Sequence, residues 1–140
     1  MQPYRHDLKA TVLAALVFMA PNATTAQASD DQIRVAREMI RTLEAYAVYK
    51  MGQYDLAFER YLTLAEDGNP QGMLNVANMY SEGKGVEQNY SNAFRWYLRA
   101  AEIGDWIAME QVESAYRTGK GVQKDTERAE YWEMRARAGD

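Results

Sequence analysis

The segment Tyr54-Asp-Leu-Ala-Phe-Glu-Arg-Tyr-Leu-Thr-Leu-Ala-Glu-Asp-Gly-Asn69 returns 36 residues later as Tyr90-Ser-Asn-Ala-Phe-Arg-Trp-Tyr-Leu-Arg-Ala-Ala-Glu-Ile-Gly-Asp105, with eight of its 16 positions identical. The same offset carries Met73, Val76, Tyr80, Gly83, Lys84, Gly85 and Val86 onto Met109, Val112, Tyr116, Gly119, Lys120, Gly121 and Val122. Further on it carries Ala93, Trp96, Arg99 and Ala100 onto Ala129, Trp132, Arg135 and Ala136. A fixed period of this length is the mark of a repeat array, in which each unit is too small to bury its apolar side alone and stacks on its neighbours.

Each unit reads as two helices. Met73, Val76, Ala77 and Tyr80 recur at three-and-four spacing and make one apolar stripe on a first helix. Gly83-Lys84-Gly85 follows, where glycine suits the left-handed conformation that closes a helix, and Val86 is placed to fold back on the core. Asn89, and Asp125 one unit on, stand where an N-cap side chain starts the second helix, whose buried face is Ala93, Trp96, Tyr97 and Ala100. The opening unit differs. Ser29-Asp-Asp-Gln32 has the form of a capping box before a long helix with the stripe Ile33, Ala36, Ile40, Leu43 and Ala47. Met51-Gly52-Gln53-Tyr54 then turns straight into the next helix, giving six helices in three pairs.

These motifs resemble a known family. Leu74-Asn-Val-Ala-Asn-Met-Tyr80, Gly83-Lys-Gly-Val86, Tyr90, Ala93, Trp96-Tyr97 and Ala100-Ala-Glu-Ile-Gly-Asp105 follow the Sel1-like repeat pattern, and residues 46–69, with Gly52, Tyr54 and Ala57, resemble a tetratricopeptide unit. The resemblance implies an all-α, right-handed superhelical solenoid of about three antiparallel helix pairs, divided as a tetratricopeptide-like pair over 29–69 and Sel1-like repeats over 70–105 and 106–140. Ala77 and Glu113 stand where the family commonly has a small glycine, and the absence of cysteine excludes its cysteine-rich subgroup.

Residues 1–28 have the layout of a secretory signal peptide. Arg5 and Lys9 are followed by an 11-residue uncharged run from Ala10 to Ala20, then Pro21, then Ala26-Gln27-Ala28 as a cleavage site. At about 1.5 Å per residue that run spans roughly 17 Å against the roughly 30 Å of a bilayer core, so cleavage after Ala28 is expected and a membrane association only if the segment is retained. The expected location is periplasmic or secreted. Removing Arg5, Lys9 and Asp7 leaves 14 basic and 19 acidic residues, a net charge of -5, from the -4 of the whole chain. That balance excludes nucleic acid as an expected partner. The lone histidine, His6, lies in the signal, so the remainder has neither His nor Cys, which removes the commonest general base, the thiolate nucleophile and the usual zinc sites. No cofactor, metal or enzymatic activity is expected.

Several side chains invite chemical readings. Trp96 and Trp132 repeat beside Ala93 and Ala129, which favours packing over a ligand wall. Gly-Lys-Gly lacks the strand, spacing and Ser or Thr of a phosphate loop. Glu110, Glu113, Asp125, Glu127 and Glu130 show no spacing that singles out a pair with opposed environments, and read as a solvated face. Asn89-Tyr90-Ser91 is a glycosylation sequon, relevant only in a eukaryotic secretory route.

The surface expected to act is the concave face lined by first helices, where a protein-binding role falls on Gln71, Asn75, Asn78 and Glu82, and one repeat later on Ile107, Gln111, Ser114 and Thr118. A second expected contact is the edge of the last unit at Tyr131 and Met134, open to a protein partner or to a homodimer. The resemblance implies an adaptor that mediates protein–protein interaction. The alternatives are a peptidoglycan- or glycan-associated envelope factor and an accessory subunit of a membrane complex.

Overall fold

The computed structural model describes residues 23–139, with side chains from Ser29. The expected signal therefore lies outside the described residues for most of its length. Six helices follow one another: α1 Ala23–Lys50, α2 Tyr54–Glu66, α3 Pro70–Glu82, α4 Tyr90–Glu102, α5 Trp106–Thr118 and α6 Thr126–Ala138. No strand occurs among the described residues. The chain falls into two units, one up to Arg37 and one from Glu38 onward. In the first, α1 is already helical from Ala23, so Ser29 lies inside the helix and Ser29-Asp-Asp-Gln32 does not form the expected capping box. Ile33 there is 52% exposed.

The second unit is an all-α repeat in which each helix from α2 onward packs on the next. Its helix ends are fixed by local chemistry. Asn89 Oδ1 accepts from the Asn92 N–H at 2.9 Å and Asp125 Oδ1 from Arg128 N–H at 3.0 Å, as expected. Asn69 and Asp105 cap α3 and α5 in the same way, at 2.8 Å to Gly72 and Ala108, and Pro70 follows Asn69 at a position where its missing N–H is not needed. Gly83 and Gly119 close α3 and α5 in the left-handed conformation.

Gly85 and Gly121, two residues further on, answer to a different constraint. A Cβ on Gly85 would stand 2.2 Å from the carbonyl oxygen of Tyr54, and one on Gly121 would stand 2.1 Å from that of Tyr90. The Gly-Lys-Gly loop thus presses its backbone on the first residue of the preceding second helix, which is why it recurs at the 36-residue period.

The core of this unit runs as one cluster from Ala45 and Val48 to Ala129 and Trp132. Alanine dominates it, with Ala57, Ala65, Ala77, Ala93, Ala100, Ala101, Ala108 and Ala129 essentially inaccessible, so neighbouring helices approach closely. Gly72 is the extreme case, since a Cβ there would meet Ala65 N at 2.6 Å. Phe58 meets Tyr80, and Phe94 meets Tyr116, edge to face at 5.2 Å, a ring contact that repeats with the period.

Two further expectations are corrected. The α1 stripe does not face the core: Ile40 is 56% and Leu43 60% exposed, while Ala45 and Val48 are buried. The buried side is the one that offers small side chains for close approach, and polar ties hold the helix there. Glu38 accepts from Asn69 Nδ2 at 2.8 Å and Arg41 pairs with Asp67 at 2.8 Å. Trp96 is half-buried rather than buried, with the Arg99 guanidinium 4.5 Å over its ring, whereas its counterpart Trp132 is 7% exposed. Phe94, rather than Trp96, fills the buried face of α4.

Glu113, at the place where a glycine is common, is half-buried and bonded to Arg117 Nε. Arg117 also reaches Glu133 on α6 at 3.1 Å, and Glu133 pairs with Arg137 at 2.6 Å. The carboxylate is thus accommodated in an alternating chain of charges between α5 and α6. Among the described residues no helix is long and apolar enough to cross a membrane.

Candidate protein-binding groove

Three of the expected contact residues line one groove, and a fourth, Asn78, is bonded to its floor. Gln111, Ser114 and Thr118 project from α5 at positions one turn apart, and line a hollow of about 100 Å³ with Ser81 of α3 opposite. Its floor is α4, through Tyr90, Ala93, Phe94 and Tyr97, and Lys120 stands at its end. Asn78 does not line the hollow but is tied to its floor, where its Oδ1 accepts a 2.5 Å hydrogen bond from the Tyr97 hydroxyl. That phenol is pushed up to about 12 by burial, and secondarily by the charge of Glu82, so it remains a neutral donor across the physiological range.

The walls can both give and take hydrogen bonds. Thr118 Oγ1 donates to the Ser114 carbonyl at 2.8 Å, which leaves its lone pairs free to accept. Gln111 carries an amide donor and acceptor, and Ser81 and Ser114 each carry a hydroxyl. Tyr90 is fixed by Gln88, whose Nε2 donates to the Tyr90 hydroxyl at 3.0 Å and to the Ser81 carbonyl at 2.8 Å. The Lys120 ammonium lies 4.2 Å from the Tyr90 ring centroid, a cation–π contact that holds the charge over the groove's end. Side-chain donors and acceptors beside aromatic rings can meet the main-chain groups of an extended peptide.

The other expected residues are placed apart from this hollow. Asn75 Nδ2 donates to the Gln71 carbonyl at 2.8 Å, so this pair is partly satisfied within α3. Glu82 pairs with Lys84 at 2.7 Å. Ile107, one turn before Gln111, is exposed and does not line the groove. Tyr131 and Met134 are 50% and 65% exposed on α6, with Tyr131 stacked edge to face on Trp132 at 5.4 Å. Ser81, Tyr90, Tyr97 and Lys120 complete the groove without having been expected. The period offered a signal for them, since Tyr61 and Tyr97 repeat, but both have the spacing of plain core positions.

Stacked helix pairs of this period, with a groove lined by first helices and floored by a second, define a helical-repeat scaffold. The family follows from comparison: the Sel1 repeat matches residues 70–105 and 111–132, and the chain is a Sel1-like repeat protein. Among solved structures it is similar to a Sel1 repeat protein from Oxalobacter formigenes, at 31% identity and a TM-score of 0.62 over 69% of this chain and 38% of that one. It is also similar to c5321, a protective antigen of uropathogenic Escherichia coli with an SLR fold, at 27% identity and 0.67 over 75% and 23%. Helicobacter pylori cysteine rich protein B shares the fold, at 22% identity and 0.58 over 59% and 62%. The chain thus spans less than two thirds of each of these proteins. No curated protein matches it. Sel1 repeats commonly mediate protein–protein interaction and are generally non-enzymatic scaffolds.

Proposed function

We propose that this chain is a non-enzymatic adaptor that holds an extended segment of a partner protein in the groove between α3 and α5, and that it works outside the cytoplasm. The observation that carries the binding site is the convergence of Gln111, Ser114 and Thr118 on the floor that Tyr97 forms and Asn78 anchors, where amide and hydroxyl groups border an aromatic surface. Export is supported by the sequence of residues 1–28 alone, with its basic start, apolar run and Ala26-Gln27-Ala28.

Capture from a native envelope extract by the full chain, compared with capture by Ser114→Arg, tests the site. Ser114 is exposed, so the arginine fills the groove without entering the core, and circular dichroism confirms that the variant is folded. A partner retained by the parent chain and lost by the variant is the expected result. Equal retention places binding elsewhere. N-terminal sequencing of the exported form should read Ser29 first, and a start at Met1 contradicts cleavage.

A further inference from the structure

The two Gly-Lys-Gly loops place their lysines alike and leave them in opposite electrostatic states. Lys84 Nζ is held at 2.7 Å by Glu82 and at 3.0 Å by the Tyr49 hydroxyl, and lies over the Tyr49 and Tyr54 rings. The Glu82 bond, with help from Tyr49, raises the affinity of this ammonium for its proton. One repeat later the lysine is Lys120 and the ring beneath it is Tyr90, but the position of Glu82 is taken by Thr118. Among the described residues Lys120 is in no ion pair, while the two glycines, the close approach to the preceding helix and the tyrosine ring beneath the lysine are kept.

The groove that Lys120 ends has no carboxylate among its lining residues, although the whole chain is net acidic. The carboxylate that acts on the Tyr97 floor, Glu82, is itself paired with Lys84. An uncompensated cation, fixed over an aromatic ring beside neutral hydroxyl and amide donors, is a selective place for an anionic group small enough to enter a groove. We infer that Lys120 is the specificity-determining contact of the groove and binds the carboxylate of an Asp or Glu side chain in the partner's extended segment. Peptide hydroxyl and amide contacts with Ser81, Gln111 and Ser114 then set its direction. Thr118 is the residue that makes this possible, because a glutamate there would neutralise the lysine as Glu82 does one repeat upstream.

This inference rests on the groove being a peptide site. The probes are nine-residue Gly-Ser peptides, blocked at both ends, with Asp, Glu, Asn or Lys at the centre, and the Asn peptide with a free C-terminal carboxylate. They are titrated into the full 15N-labelled chain and followed by amide shifts. Saturable shifts at Ser81, Gln111, Ser114 and Lys120 are expected from the Asp and Glu peptides, at least about tenfold tighter than from the blocked Asn peptide, and weakening with added salt. Binding of the free-carboxylate peptide more tightly than the Asp and Glu peptides overturns the side-chain assignment. Lys120→Gln and Thr118→Glu should each remove that tenfold preference, and the upstream Glu82 shows that a glutamate is tolerated at this helix end. Equal binding of the Asn or Lys peptide at these same amides overturns the carboxylate preference and leaves the groove as a peptide site. An undiminished preference in Thr118→Glu overturns it also. Shifts elsewhere, or none up to millimolar peptide, overturn both the preference and the groove.

Discussion

Gly121 has no room for a side chain because the carbonyl oxygen of Tyr90 lies where its Cβ would be, 2.1 Å away. Its φ of +78° adds backbone strain for any L residue. Gly121→Ala should therefore destabilise by more than about 2 kcal/mol, combining left-handed strain of about 1 to 2 kcal/mol with displacement of the loop from α4. Gly104 also has a positive φ, but a Cβ there would meet nothing within 4 Å, so Gly104→Ala should show the strain alone. Urea melts of the two variants separate the effects, and equal losses would mean that the loop does not bear on Tyr90.

The two repeated tryptophans should differ in weight. Trp132→Ala empties a buried aromatic site and should cost about 3 to 5 kcal/mol, whereas Trp96→Ala, half-exposed under Arg99, should cost about half as much or less. Thermal melts that rank Trp96 above Trp132 would contradict the packing described for α4 and α6.

The corrected face of α1 makes an equally direct prediction. Leu43→Ser should change stability by no more than about 0.5 kcal/mol, since the side chain is already in water. Val48→Ser should cost about 1 to 3 kcal/mol by placing a hydroxyl in the core. The stripe read from the sequence gives the opposite order, so chemical denaturation of the pair decides which side of α1 packs.

Alkali should weaken the fold through its buried phenols. Tyr61 and Tyr97 are both pushed up to about 12, chiefly by burial, while an unfolded chain ionises them near 10. Above pH 10 the unfolded state thus binds fewer protons than the folded one, and stability falls with rising pH until the folded phenols ionise near 12. Each tyrosine contributes a loss of up to about 2 kcal/mol across that window, after solvent screening at the hydroxyl. The Lys84 ammonium, held by Glu82 and Tyr49, changes in the same direction. Urea midpoints measured at pH 9, 10 and 11 should decline, and Tyr61→Phe should flatten part of the decline. A constant midpoint would show that these rings are solvated.

Much of the fold was legible because periodic residues carry it. The 36-residue offset, the Asn89 and Asp125 caps and the Gly83 and Gly119 stops each reflect a local chemical need that sequence displays directly. The face of α1 was not legible, because larger apolar residues formed a clearer stripe than Ala45 and Val48, and the deciding contacts with Asn69 and Asp67 are remote in sequence. The groove was half legible for a similar reason. Gln111, Ser114 and Thr118 share a helix face and could be grouped by spacing, but Tyr97 and Lys120 join them only through tertiary packing.

Site-specific photo-crosslinking in cells that produce the full chain tests the central claim most directly. A benzophenone side chain placed at Ser114 should give a discrete adduct with a partner protein, lost in Thr118→Glu, while the same probe at Met134 on α6 gives none. A partner adduct from Met134, with none from Ser114, would contradict the groove as the binding surface.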